Sequence, residues 1–198
     1  MQTPSSEGDP RETVIALAGR RIDAQDATTS RFPLGQAQMV REQLRLFFKR
    51  HRVRAVVASG ACGADLLALE VAGEARLQRK MVLPFARARF RELSVVDRPG
   101  DWGKLFDRIC SEVKGEAGIK TLGTTHDQMR DFVRTNQFII KEALHLAGNT
   151  RVANGTAPVL AVLVWDGKSR GDDDVTAAFG ELAKANNIPL QEILTRSS

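Results

Sequence analysis

Val53-Arg54-Ala55-Val56-Val57-Ala58-Ser59-Gly60-Ala61-Cys62-Gly63-Ala64-Asp65-Leu66-Leu67-Ala68-Leu69 is the stretch on which the reading of the chain turns. Its first residues form a short, β-branched apolar run, the pattern of a strand covered on both faces. Leu66 to Val71 continues as an apolar helical segment. Between them lies a turn of small residues. The start of a helix carries unpaired backbone N–H groups and the positive end of the helix dipole. Ser59, Gly60, Ala61 and Gly63 would let an anionic ligand approach those groups closely. The same small residues also suit tight packing of a strand against a helix, so the turn alone leaves both readings open.

Working outward, Thr13 to Ala18 is an earlier apolar strand, followed by Gly19-Arg20-Arg21-Ile22-Asp23. Gln36 to His51 places Val40, Leu44, Phe47 and Phe48 at the spacing of an amphipathic helix. Lys80 to Phe85 reads as a third strand closed by Pro84, and Arg87 to Leu93 as a short basic helix or loop. Asp101 to Val113 is helical, and a short extended piece is expected at Ile119 to Leu122. His126 to Ala147 is the longest helix, with Met129, Phe132, Val133, Asn136, Ile140, Ala143, Leu144 and Ala147 on its expected inward stripe. Pro158 to Trp165 is a continuous apolar strand suited to a sheet centre, ending at Asp166-Gly167. A helix from Val175 to Asn186 and a strand from Pro189 to Leu194 complete the pattern. Strand and helix alternate throughout. The expected fold is therefore α/β: a single Rossmann-like, doubly wound, mainly parallel sheet of about five to six strands with helices on both faces. It spans residues 13–195, after a polar leader (1–12) expected to be disordered.

Bulk properties narrow the function. The 198 residues carry a formal charge of +5, which favours anionic ligands without the concentrated basic tract of a dedicated DNA binder. No apolar run is long enough for a membrane-spanning helix, so no membrane partner is expected. Cys62 and Cys110 have neither metal-ligand spacing nor a disulfide framework, and a reducing cytoplasmic setting is the default. No metal site and no required cofactor are expected, Mg2+ entering only alongside a phosphate ligand.

Ligands of doubly wound sheets collect outside the carboxyl ends of the strands. Arg20 and Arg21 stand at one such end, where a guanidinium fork suits phosphate or carboxylate. Asn136 lies on an otherwise apolar stripe and must either tie down a neighbouring loop or reach a ligand. Arg134 stands beside it. Cys62, near a helix N-terminus, is either a reactive thiol or a small residue filling a crowded turn. Asp65 can cap the helix start or accept from a ribose hydroxyl, and Asp65, Glu70 and Asp23 are the carboxylates available as an acid or base. Three consecutive carboxylates, Asp172, Asp173 and Asp174, read as a solvated turn because they cannot all point one way.

Ala18-Gly19-Arg20-Arg21-Ile22-Asp23, Ser59 to Asp65, the Leu83-Pro84-Phe85 strand end, Arg134-Thr135-Asn136 and Trp165-Asp166-Gly167 occur in that order. Together they resemble the SLOG superfamily of Rossmann-like domains. That group includes the DNA-processing protein A family, the cytokinin-activating lysine-decarboxylase-like proteins and sensor domains for nucleotide-derived signals. The resemblance implies a nucleotide-binding pocket built by Gly19, Arg20, Arg21, Ser59, Gly60, Ala61, Gly63, Asp65, Pro84, Arg134, Asn136, Asp166 and Gly167. The glycine-rich Pro-Gly-Gly-x-Gly-Thr-x-x-Glu signature of the cytokinin-activating enzymes is absent. Binding of a nucleotide-like signal is therefore placed ahead of nucleotide N-glycosidase chemistry using Asp65 or Glu70. Single-stranded DNA binding comes third, because the chain lacks tyrosine and its phenylalanines sit mostly at core spacings. A sensor of this length would act through a second copy of itself or a separate effector protein.

Overall fold

A computed structural model describes residues 12–113, 118–149, 151–152, 155–156 and 158–196. Its strands are β1 (Thr13–Gly19), β2 (Val53–Ala58), β3 (Gln78–Leu83), β4 (Ile119–Thr121), β5 (Arg151–Val152), β6 (Gly155–Thr156), β7 (Val159–Trp165) and β8 (Leu190–Leu194). The helices are α1 (Ala37–Arg50), α2 (Ala64–Glu74), α3 (Arg87–Ser94), α4 (Trp102–Glu112), α5 (Gln128–Gly148) and α6 (Val175–Ala185). Six strands form one sheet in the order β4-β3-β2-β1-β7-β8, and every pairing in it is parallel. The doubly wound α/β fold expected from the strand–helix alternation is the fold observed. Among the described residues no helix is long and apolar enough to cross a membrane.

Alternation along β1 and β2 builds two cores. Ile15, Leu17, Val56 and Ala58 face a layer containing Leu44 and Phe48 of α1, Leu66 and Leu67 of α2, Phe90 of α3 and Phe106 of α4. Val14, Ala16, Ala55 and Val57 face the opposite layer, with Ile139 and Ile140 of α5 and Phe179 of α6. Side chains of a strand alternate between faces, so a strand covered on both must be apolar at nearly every position. β1 and β7 meet that demand, each with five consecutive buried residues.

Several expectations need correction. β3 begins at Gln78 and ends at Leu83, so Pro84 and Phe85 follow the strand rather than close it from within. The basic segment at Arg87 is a helix that buries Phe90. The antiparallel pair β5–β6 was not foreseen. Of the leader, residues 1–11 lie outside the described part.

The inward face of α5 is also rotated from the expected stripe. Met129, Val133 and Leu144 are 40%, 38% and 43% exposed, while Asp131, Thr135 and Glu142 are buried. Each buried polar group has partners, which removes the cost of burying it. Asp131 accepts from Thr124 Oγ1 and Thr125 N, and Thr135 Oγ1 donates to the Asp131 carbonyl. Glu142 takes Lys80 of β3 at 2.5 Å and Lys120 of β4 at 2.7 Å.

The site is positioned by topology. The chain leaves β1 towards α1 on one face and leaves β7 towards α6 on the other. β1 and β7 are neighbours, so their departing loops diverge and open a crevice at the strand ends. The loop after β1 packs against the β2–α2 turn at Gly63, which has φ +95°. A Cβ there would lie 2.8 Å from both the Arg20 carbonyl oxygen and the Ile22 nitrogen. Gly63→Ala is expected to lower stability by about 2 kcal/mol or more, seen as a lower midpoint in urea unfolding with little change in slope.

Candidate functional site

A cleft of about 490 Å3 opens at the switch point between β1 and β7. Its walls come from the ends of β1 and β2, the loop before α1, α3, the N-terminal half of α5 and the loop entering α6.

Arg20 anchors this region. It is 4% exposed, and four of the five N–H groups of its guanidinium are taken by the protein itself. Nε donates to Asp166 Oδ1 at 3.0 Å, Nη1 to Asp174 Oδ1 at 2.6 Å, and Nη2 to Asp174 Oδ2 at 2.8 Å and the Lys168 carbonyl at 2.6 Å. Burial works against its charge, but these hydrogen bonds outweigh it and hold the group above the usual guanidinium value. Asp174 also caps α6, accepting from Thr176 N and Ala177 N. Burial opposes its ionisation too, yet Arg20 and the Arg170 N–H prevail and Asp174 titrates at about 2. The expected solvated turn therefore holds only for Asp172 and Asp173, since Asp174 is buried. No group of three or more metal-ligating side chains occurs among the described residues.

The loop after β1 is closed by Asp23, whose carboxylate accepts from Arg31 N and Phe32 N. Asp23 also lines the cleft. The far end of the chain holds the same loop: Thr195 Oγ1 donates to the Arg31 carbonyl and Arg196 Nη1 to the Ser30 carbonyl. Arg31 Nη1 in turn donates to Asp166 Oδ2 at 2.7 Å.

The β2–α2 turn differs from the anion cradle suggested by its small residues. Asp65 Oδ2 accepts from Gly60 N and Ala61 N, Cys62 N donates to the Ser94 carbonyl, and Ala64 N donates to the Arg20 carbonyl. Those four N–H groups are satisfied within the chain and have no donor left over for a phosphate. Asp65 is 6% exposed and lines the cleft, and its Oδ1 has no partner. Burial, only partly offset by the two N–H groups, raises its titration to about 6. Burial likewise pushes the Cys62 thiol up to about 12, so Cys62 fills the turn and is not a reactive thiolate.

Of the residues expected at the site, Gly19, Arg20, Arg21, Ser59, Ala61, Asp65 and Asn136 line the cleft. Arg21 is turned to Asp97 at 2.7 Å, and Asn136 Nδ2 donates to the Val175 carbonyl, tying down the start of α6. Gly60, Gly63, Pro84, Arg134, Asp166 and Gly167 lie outside the lining. Arg134 instead donates to the Leu122 and Gly123 carbonyls. Glu70 is held by Arg41 at 3.0 Å and Arg108 at 2.7 Å and also lies outside the cleft.

Residues the sequence reading did not single out supply much of the wall. Phe90 and Phe132 each pack beside Phe85, with ring centroids 6.1 and 6.3 Å away. Arg31, Arg98 and Arg170 add cations. Burial, despite Asp174, and the neighbouring Arg20, Arg31 and Arg21 lower Arg170 below the usual guanidinium value, marking a concentration of positive charge. No local pattern flags these residues, because each comes from a different loop or helix.

No protein-family model matches the chain, and no curated protein matches it. Among solved structures it is similar to DNA processing protein A (DprA) from Streptococcus pneumoniae, at 12% identity and a TM-score of 0.37. That match covers 91% of this chain and 58% of the other, so the chain spans less than two thirds of that protein's length.

The two acids respond to pH in opposite directions. Asp65 binds its proton more tightly folded than unfolded, so its contribution is greatest near pH 4 and falls away as pH rises to about 6. Asp65→Asn is expected to remove a loss of about 3 kcal/mol across that interval, measured by urea unfolding at pH 4 and 7. Asp174 contributes above its ordinary range and loses that contribution as pH falls towards about 2. Arg20→Ala takes the bidentate cation from buried Asp174 and leaves Asp166 to Arg31 alone, and should cost about 3 kcal/mol at pH 7, with a smaller penalty at pH 3 in the same assay.

Proposed function

We propose that the chain binds a nucleotide or nucleotide-derived signal in the switch-point cleft. The observation that carries this reading is the pairing, in one cavity of about 490 Å3, of an aromatic wall with a set of arginines. Half-buried Phe132, backed by the buried Phe90, offers apolar ring surface for a base, and Arg21, Arg31, Arg98 and Arg170 offer positive charge for phosphate. A cavity of this size suits a small ligand. With the N–H groups of Gly60, Ala61, Cys62 and Ala64 already engaged, side chains supply most of the anion contacts. The order of the strand-end motifs supports a SLOG-type sensor of such ligands. N-glycosidase chemistry is the less favoured reading. Its remaining candidate is Asp65, because Glu70 is bound up in ion pairs outside the cleft.

The test is thermal unfolding in the presence of ribonucleoside mono- and diphosphates, cyclic dinucleotides and ADP-ribose, with chromatography of the mixtures. At least one compound is expected to raise the midpoint by about 5 °C at saturation without being consumed. Arg170→Ala should weaken its binding about tenfold. Release of free base would replace the sensor with the enzyme. No shift with any compound, or tight salt-dependent binding of single-stranded DNA instead, would overturn the proposal.

A further inference from the structure

Asp65 is unlike the other buried carboxylates among the described residues. Asp131, Glu142 and Asp174 each have both oxygens engaged by donors or cations. Asp65 has one oxygen engaged, by Gly60 N at 3.1 Å and Ala61 N at 3.2 Å, while Oδ1 is buried without a partner. A buried acceptor left unpaired is costly, and native structures rarely keep one without a use. Asp65 also lines the cleft.

We infer that the unpaired Asp65 Oδ1 selects ligands presenting a hydroxyl donor, and so a ribose with free hydroxyls over a deoxy or blocked sugar. The inference rests on the nucleotide-binding reading and adds the sugar specificity to it. The chemistry next to Asp65 must be a donor, because a phosphate, with acceptors alone, is repelled by a carboxylate. Arg21, Arg31, Arg98 and Arg170 supply cations elsewhere in the same cleft. The ligand therefore carries two unlike ends, an anionic group for the arginines and a neutral O–H for Asp65. A ribonucleotide has both on one scaffold, and its 2′-hydroxyl is the group that separates RNA chemistry from DNA chemistry.

The experiment compares a pool of the four ribonucleoside 5′-monophosphates with the matching pool of 2′,3′-dideoxy compounds, by calorimetric titration at pH 7.5. On the unaltered protein the ribo pool is expected to bind about 10-fold or more tightly than the dideoxy pool, the worth of one hydrogen bond to a charged acceptor. Asp65→Asn keeps an acceptor for Gly60 and Ala61 but puts an NH2 donor where Oδ1 was, and should bring the two affinities together. Equal binding of the two pools to the unaltered protein would overturn this inference and leave the nucleotide-binding reading intact. Binding of neither pool would overturn this inference as well, and the nucleotide-binding reading falls with it only if the diphosphates, cyclic dinucleotides and ADP-ribose also fail to bind. The comparison between pools on the unaltered protein needs no variant to fold.

Discussion

A guanidinium buried at a strand end is tolerable only if its charge and most of its donors are met, because the desolvation of an unpaired ion costs several kcal/mol. Arg20 meets its charge with two carboxylates and four of its five N–H groups with those and a carbonyl, and its guanidinium also sits over the Trp165 ring at 5.6 Å. Its partners lie 146 to 154 positions along the chain. One side chain thus joins the end of β1, the end of β7 and the start of α6, the three elements whose divergence creates the cleft. Asp166 and Asp174 are themselves doubly used, the first by Arg31 and the second as the cap of α6. The crevice is held to shape by a charge cluster that the chain satisfies on its own.

That self-sufficiency engages most of the backbone donors near the strand ends. In many doubly wound folds a helix start supplies bare N–H groups to a phosphate. Here the start of α6 is capped by Asp174, and the turn before α2 is filled by Asp65 and by the Arg20 and Ser94 carbonyls. The cations are instead distributed over side chains from separate segments. Asp97 pairs with both Arg21 and Arg98, so part of that charge is already balanced at the rim.

The fold was legible because burial on both faces of a parallel sheet leaves a continuous apolar record, clearest at β1 and β7. The longest helix was legible in extent but not in orientation. Its buried face includes Asp131, Thr135 and Glu142, and their partners at Thr124, Lys80 and Lys120 are set by tertiary contact that periodicity does not encode. The turn at Ser59 to Asp65 was recognised as central, yet its small residues serve close packing, most plainly at Gly63 against Arg20 and Ile22. Arg20 stood out as a strand-end arginine, while its engagement by Asp174 could not be read, because the pair is remote in sequence. Phe90 and Phe132 were hidden for a related reason: an aromatic at core spacing looks the same whether it faces a core or a cavity.

The contact between Thr195 and the Arg31 carbonyl carries a mechanical consequence. Thr195 is fully buried at the end of β8, and Arg196 grips the neighbouring Ser30 carbonyl, so the loop after β1 is clamped from behind by the opposite end of the chain. One jaw of the cleft is therefore rigidly mounted. The other, carried by α3 and the segment beyond it, is bound across the mouth by the partly exposed Arg21–Asp97 pair, a type of link that contributes little energy in water. The long loop after β1 is thus a fixed abutment on which that rim pair rests.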